Sequence, residues 1–379
     1  MEKHVVIVDF NHMVHTYYNS QYRLHARVMD MGVPIEKDTT IANGALKNIF
    51  RWTKGGVFPT AICFDRPVAP RKVYFKEAFG GDKEGNGNYK GSRESMSDGM
   101  FEGSRDTQMI LEQGGVPVFV QNGYEADDLI MACIQRAKVK YPGMHIDVVT
   151  NDADLLPLVD DTVSVYLRSK KGTYAVDKTY EKNKYIEVTP DNYQTVVEDL
   201  SAYKGFKMPY NILLLHKLLR GDSSDEFGCK DISRMFSPLK WNKFVSAMEE
   251  GGIDFASAFR YGPPVMKILY RGTDKEFDGT LKDALSSPDK AQLYQKVCNP
   301  VELDTIIGIL RKYTELSEEQ LSRVEKIYWG MNLNMVYPNK TGPQRGMYTV
   351  GTKNTPDISE YRDIDLHNAA SVLQIRLLR

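Results

Sequence analysis

Four short apolar runs constrain this chain more than any other feature: HVVIVDF at residues 4–10, TAICFD at 60–65, GVPVFV at 115–120 and HIDVVT at 145–150. Rich in β-branched residues and too short for helices, they read as strands. Helical spacing fills the intervals, from Ile41 to Trp52 and from Glu125 to Lys140, where Leu129, Ile130, Cys133, Ile134 and Ala137 recur opposite Gln135, Arg136 and Lys138. The alternation predicts an α/β fold with a mainly parallel central sheet flanked by helices.

The run TVSVYLRSKKGTYAVD predicts two further strands around a Lys-Lys-Gly turn. Beyond residue 190 the pattern turns helical, with helices expected over Asn192 to Tyr203, Tyr210 to Arg220, and Leu303 to Trp329 with a break near Leu316. The expected organisation is an α/β core over 1–190, a helical subdomain over 191–337, and a linker and tail over 338–379. Between Arg66 and Asp106 lie seven glycines and five aromatics with no strong periodicity. A loop of that length in a compact domain is a functional lid or a disordered insertion.

Composition excludes several classes. With 42% hydrophobic and 26% charged residues, the chain is neither disordered, collagen-like nor coiled coil. A formal net charge of −1 gives no global attraction for nucleic acid, so phosphate binding requires segregated basic patches. Cys63, Cys133, Cys229 and Cys298 are scattered, which argues for reduced thiols and against a zinc site. His12 and His15 read as packing or surface residues rather than ligands. No apolar run approaches the ~18 residues of a membrane span, so a soluble, cytoplasmic protein is expected.

The acids carry the chemistry. Asp9 ends the first strand and Asp65 the second, which places both at the carboxyl edge of a parallel sheet. Glu125, Asp127 and Asp128 follow the third in GYEADDLI, and Asp152 and Asp154 follow the fourth. Asp222 and Asp225, in LLRGDSSDEF, come at a helix end from which they could reach the same edge. Singly, each group is accounted for by helix capping or an Asx turn. Together they would repel by about 3 kcal/mol per pair at ~5 Å and an effective dielectric of ~20, so the cluster needs cations. Oxygen ligands without His or Cys select Mg²⁺ or Mn²⁺, and this many carboxylates suit two ions, the arrangement used for in-line displacement at phosphorus.

Taken in order, VIVDFNH, ICFDRP, GYEADDLI, TNDADLLPLV and LLRGDSSDEF, with NYKGSR in the long loop, resemble the 5′ nuclease superfamily. That superfamily comprises phage-type 5′-3′ exonucleases and ribonucleases H, flap endonucleases and the 5′-nuclease domain of DNA polymerase I. The resemblance runs from about Val5 to Leu239. It implies that Asp9, Asp65, Glu125 and Asp127 hold one metal, that Asp152, Asp154, Asp222 and Asp225 surround a second, and that Asp128 orients water or metal. It further implies that residues 66–106 form a helical arch in which Lys90 and Arg93 grip the scissile phosphate. The implied activity is a Mg²⁺-dependent, structure-specific 5′ nuclease, with Mn²⁺ able to substitute. Its partners would be DNA with a 5′ flap or single-strand/duplex junction, possible RNA–DNA hybrids and replication proteins. It would act as a monomer, in the host cytoplasm if phage-encoded.

Cations in the arch make sense physically, because an all-acid site repels a polyanion unless positive charge offsets it. Lys90 supplies a point charge and Arg93 a bidentate fork. Tyr74, Phe75, Phe79 and Tyr89 either stack on unpaired bases or pack the arch. The basic stretch containing Arg168, Lys170 and Lys171 is either a duplex contact or a charged strand edge. One departure is notable: where the family has a Gly-rich helix-turn-helix, EFGCKDISRMF keeps only Gly228, although Lys230 and Arg234 could still touch phosphate. A catalytically inactive branched-DNA scaffold is disfavoured by the intact acid set. A PIN-type endoribonuclease is disfavoured by the long arch and helical half.

Overall fold

A computed structural model of the chain describes residues 3–17, 40–65, 69–79, 89–90, 97–122, 124–168, 185–222, 225–263, 265–333 and 356–361. Arg93, Lys170, Lys171, the Lys-Lys-Gly turn and the stretch from Pro338 to Thr355 lie outside them. The chain divides into two compact units, one formed by residues 1–69, 90–210 and 348–379, the other by 70–89 and 211–347.

The first unit is built on a six-stranded sheet. Its strands are β1 (Val5–Asp9), β2 (Thr60–Cys63), β3 (Val118–Phe119), β4 (Ile146–Thr150), β5 (Val163–Arg168) and β6 (Tyr185–Val188), in spatial order β3-β2-β1-β4-β5-β6. The first five are parallel and β6 closes the edge antiparallel to β5. This is the expected mainly parallel α/β sheet. Neighbouring residues on a strand point to opposite faces. Val6 and Val8 enter one core with α2 (Thr40–Trp52) and α4 (Asp98–Gln113), through Ile41, Leu46, Ile49, Ile110 and Leu111. On the other face lies α5 (Ala126–Lys140), which packs on β1, β2 and β4 and buries the expected Leu129, Ile130, Cys133, Ile134 and Ala137. A helix over 10–17, α1, leaves β1 directly.

Between Arg66 and Asp106, where the periodicity gave no element and only the resemblance implied helices, the described residues include two. Helix α3 (Ala69–Phe79) occupies the start of that stretch, and α4 begins at Asp98 and carries Asp106 as a buried residue. The apolar residues of α3 do not form one stripe: Phe75 and Phe79 are buried, whereas Val73 is 50% exposed. That mixture hides the helical period.

In the second unit the rings of Phe79, Tyr89 and Phe227 stack around Phe75. A Cβ on Gly330, in the helix Glu318–Met331, would stand 2.3 Å from the Phe75 ring, so the close approach there requires glycine. Helices α7 (Leu213–Arg220), α8 (Lys230–Met235) and α9 (Pro238–Glu250) surround the fully buried Trp241. The expected long helix near the end is a pair, α12 (Val301–Tyr313) and α13 (Glu318–Met331), broken where Leu316 was expected to interrupt it. An antiparallel ribbon, β7 (Val265–Tyr270) with β8 (Leu293–Cys298), precedes the pair and was not anticipated. Among the described residues no helix is long and apolar enough to cross a membrane.

Candidate metal centre at the carboxyl edge of the sheet

Strand order explains why acids distant in sequence meet. The chain reverses direction across the sheet between β1 and β4, and open parallel sheets place their ligands outside the carboxyl ends at such a reversal. Asp9, the last residue of β1, is 5% exposed. Its Oδ2 accepts a 2.7 Å hydrogen bond from Thr150 Oγ1 at the end of β4, and its Oδ1 accepts from the Asn11 N–H at 3.1 Å. The reversal is thus bridged by the first acid itself.

Asp65, two residues beyond β2, is held from both sides: Oδ1 accepts the N–H of Ala126, the first residue of α5, and Oδ2 accepts from the Asn11 side chain. Glu125 is the N-cap of α5 and forms a reciprocal capping box with Asp128, whose Oδ2 accepts the Glu125 N–H at 3.0 Å. Capping is therefore a definite role for Asp128. Asp127, half buried, sits between them. Asp152 caps the short 3₁₀ helix Ala153–Leu158 by accepting the Asp154 N–H at 2.9 Å, and Asp154 stands in its first turn.

The electrostatics show which of these charges share a space. Burial pushes the Asp127 carboxyl well above the usual range, and the charges of Asp152, Asp9, Glu125 and Asp65 push it further. Asp65, exposed on one side and densely packed on the other, is raised to about 6, by burial first and then by Asp9 and Glu125, against the Ala126 N–H and Lys90. Asp9 is raised by burial despite its hydrogen bonds. Lys90 is the counter-charge: Nζ donates to Glu125 Oε1 at 2.6 Å, from a residue held at φ +50°. A left-handed, non-glycine backbone beside a reactive cluster is a common seat of functional strain.

His12 is excluded as a ligand. It is buried, its Nδ1 meets the Asp9 carbonyl and its Nε2 the Tyr185 hydroxyl, and burial pushes its imidazole down to about 3. All four cysteines are free thiols, as expected. The five mutually repelling acids are thus hard oxygen donors with no competing imidazole, which fits a divalent cation such as Mg²⁺ or Mn²⁺. Among the described residues no three acid, His or Cys side chains already converge as a finished ligand set.

The other expected residues belong to the second unit or to other elements. Asp222 and Asp225 belong to the second unit. There Gly221, at φ +76°, lets the chain turn tightly so that Asp222 and Phe227 exchange backbone hydrogen bonds. Asp222 Oδ2 takes the ammonium of the buried Lys217 at 2.7 Å, and Asp225 Oδ2 the Tyr89 hydroxyl at 3.2 Å. Of the two readings left open for Tyr89, stacking on nucleic acid and packing, its surroundings favour packing. Tyr89 is 4% exposed, with its ring against Phe75 and its hydroxyl on Asp225, so it presents no face to a base. Phe75 and Phe79 are packing residues for the same reason. Arg168 ends β5 with its guanidinium on the Thr16 hydroxyl, and Lys230 and Arg234 are exposed on α8.

Asn11, Thr150 and Lys217 were not anticipated. Lys217 was findable as the central cation of the apolar run LLLHKLLR, but Asn11 and Thr150 matter only once β1 and β4 are neighbours.

Residues 4–186 match the family described as the 5′-3′ exonuclease, N-terminal resolvase-like domain. DNA polymerase I of Caldicellulosiruptor bescii is 30% identical over 192 residues, which is 50% of this chain and 19% of that protein. The 5′-3′ exonuclease of Buchnera aphidicola is 29% identical over 94 residues, covering 25% of this chain and 32% of that one. The chain spans about a fifth of that polymerase and a third of the exonuclease. Among solved structures, the T5 D15 protein co-crystallised with metal ions aligns over 88% of this chain and 90% of its own, at 14% identity and a TM-score of 0.46. The match over residues 4–186 supports the resemblance of that part of the chain to the 5′ nuclease superfamily.

Proposed function

We propose that the protein is a divalent-metal-dependent 5′ nuclease. It hydrolyses phosphodiesters at 5′ flaps, 5′ ends or RNA primers beside single-strand/duplex junctions during DNA replication. The observation that carries this reading is the group of Asp9, Asp65, Glu125, Asp127 and Asp152 at one sheet reversal, where Asp127 feels the other four. Carboxylates so placed raise one another's cost of ionisation, which serves no folding purpose. A bound cation repays it.

When bound, two Mg²⁺ or Mn²⁺ ions would supply the charge that favours attack of water on phosphorus and departure of the leaving oxygen. Asp9, Asp65, Glu125 and Asp127 are proposed for one ion and Asp152 with Asp154 for the other; the assignment of Asp222 and Asp225 to the second rests on their motif. The protein's own groups position and neutralise. Asn11, Thr150 and the Ala126 N–H fix the directions in which Asp9 and Asp65 face. The Lys90 ammonium, now on Glu125, is the donor for a non-bridging phosphate oxygen. Arg93, by its motif, is its partner.

The test is cleavage of end-labelled 5′-flap, nicked-duplex and RNA-primed substrates in Mg²⁺, with EDTA as control. Release of 5′ products that EDTA abolishes is expected. Undiminished cleavage in EDTA, or binding of flap DNA with no cleavage in either Mg²⁺ or Mn²⁺, would refute the proposal.

A further inference from the structure

The segment Pro356–Tyr361 is part of the first unit and is fastened there by more contacts than a passive tail needs. Ile358 is fully buried and Tyr361 is 8% exposed. Ser359 bridges to Thr60, the first residue of β2, with the Thr60 N–H donating to the Ser359 carbonyl at 3.0 Å. The Tyr361 N–H donates to the Gly56 carbonyl at 3.1 Å. From the far end of α5, Lys140 Nζ and the Tyr141 hydroxyl donate to the Ile358 carbonyl at 2.6 and 2.9 Å. Lys140 also pairs with Asp357 at 2.8 Å, and Arg136 lies 3.4 Å from the same carboxylate.

These contacts join the start of β2 to the end of α5. The opposite ends of the same two elements carry the acids: Asp65 follows β2, and Glu125 and Asp127 open α5. At that end the Asp65 carboxylate already accepts the Ala126 N–H. β2 and α5 are therefore tied at both ends, by an acid at one and by this segment at the other. A helix of 15 residues is a stiff rod about 22 Å long, so a tilt at its last turn moves its first. Ligand sets tolerate only about 0.5 Å of such error.

We propose that Pro356–Tyr361 is a clamp that sets α5 against β2 and thereby positions Asp65, Glu125 and Asp127 to hold a divalent cation. Ile358 and Tyr361 are its positioning residues. This rests on the metal-dependent reading above and extends it to residues far from the chemistry.

The test uses the full chain with Ile358→Asp, Asp357→Asn and Ile358→Val, measuring Mn²⁺ affinity by calorimetry, amide exchange at Thr60 and the melting temperature. Ile358→Asp is expected to speed exchange at Thr60 and weaken Mn²⁺ at least ten-fold. Asp357→Asn should weaken it about three-fold with little change in melting, and Ile358→Val should stay within two-fold of wild type. If Ile358→Asp does not fold, Asp357→Asn decides. Faster Thr60 exchange with wild-type Mn²⁺ affinity would overturn the clamp and leave the metal reading intact. Failure of the wild-type chain to bind Mn²⁺ would overturn the metal reading itself, and the clamp's role with it.

Discussion

Replacing Asp127 by Asn should abolish cleavage and yet make the metal-free protein more stable. Asp127 is surrounded by the charges of Asp152, Asp9, Glu125 and Asp65. At roughly 7 Å and an effective dielectric of about 20, one like-charge pair costs about 2 kcal/mol. Lys90 and partial protonation within the group offset part of the total, so the net relief is on the order of one pair. Asparagine keeps the side chain's shape, so no cavity cancels the gain. For a domain of this size about 2 kcal/mol corresponds to a rise of roughly 4–8 °C in melting temperature. The sign follows from the raised carboxyl of the folded state. The penalty is absent below the unfolded value near 4, grows as pH rises toward the folded value, and is complete above it. Thermal melts in EDTA should therefore show the variant ahead at pH 8 and level with wild type near pH 4. Saturating Mg²⁺ should reverse the order at pH 8, because only wild type keeps its full ligand set. A variant less stable than wild type in EDTA at pH 8, or a gap that does not change with pH, would refute the idea that these acids are held together against their mutual repulsion.

Lys90→Met should act in the opposite direction, lowering the metal-free melting temperature by the equivalent of about 1–2 kcal/mol, since it removes a cation from the acid group. Its turnover should fall far more than its affinity for flap DNA; equal losses in single-turnover and binding assays would show that Lys90 only anchors substrate. Gly221→Ala should cost roughly 3 kcal/mol or more in urea denaturation, because φ is +76° and a Cβ would stand 2.5 Å from the Phe227 carbonyl oxygen. A loss below about 0.5 kcal/mol would contradict that geometry. Burial, reinforced by Arg220 and Lys217, holds the His216 imidazole down to about 3, so its stabilising share is full above pH ~6.5 and is lost as pH falls toward 3. His216→Phe, which keeps a ring against Trp241, should flatten the stability loss between pH 6 and 4 by about 2.5 kcal/mol at most.

Strands β1 to β5 were legible because each is a local pattern that ends in turn or acidic residues; β6 was not, and the second strand expected after the Lys-Lys-Gly turn lies outside the described residues. The acids were legible as strand-end residues for the same reason. Their meeting was not, since the neighbouring of β1 and β4 depends on pairings between residues about 140 apart in sequence. Asn11 and Thr150 escaped notice accordingly: each is unremarkable until Asp65 or Asp9 stands beside it. Helix α3 escaped the periodicity because its buried face is Arg71, Phe75 and Phe79, with too few apolar residues to set a period. Tyr89 stayed undecided in the sequence because an aromatic beside a basic residue suits base stacking and ring packing equally, and only burial separates them. Clamp residues such as Ile358 sit in a stretch whose surroundings read as linker, with no periodic signal at all.

The first unit's last piece is translated after the entire second unit. A nascent chain interrupted near residue 333 has all six strands but lacks the Ser359 carbonyl that accepts from Thr60 and the Tyr361 ring that packs beside Gly56. The ribosome must therefore deliver the second unit before the first can close, and an incomplete product would expose an unpaired strand start with an apolar slot beside it. Such a product offers proteases and chaperones a recognisable mark, while a finished molecule hides it.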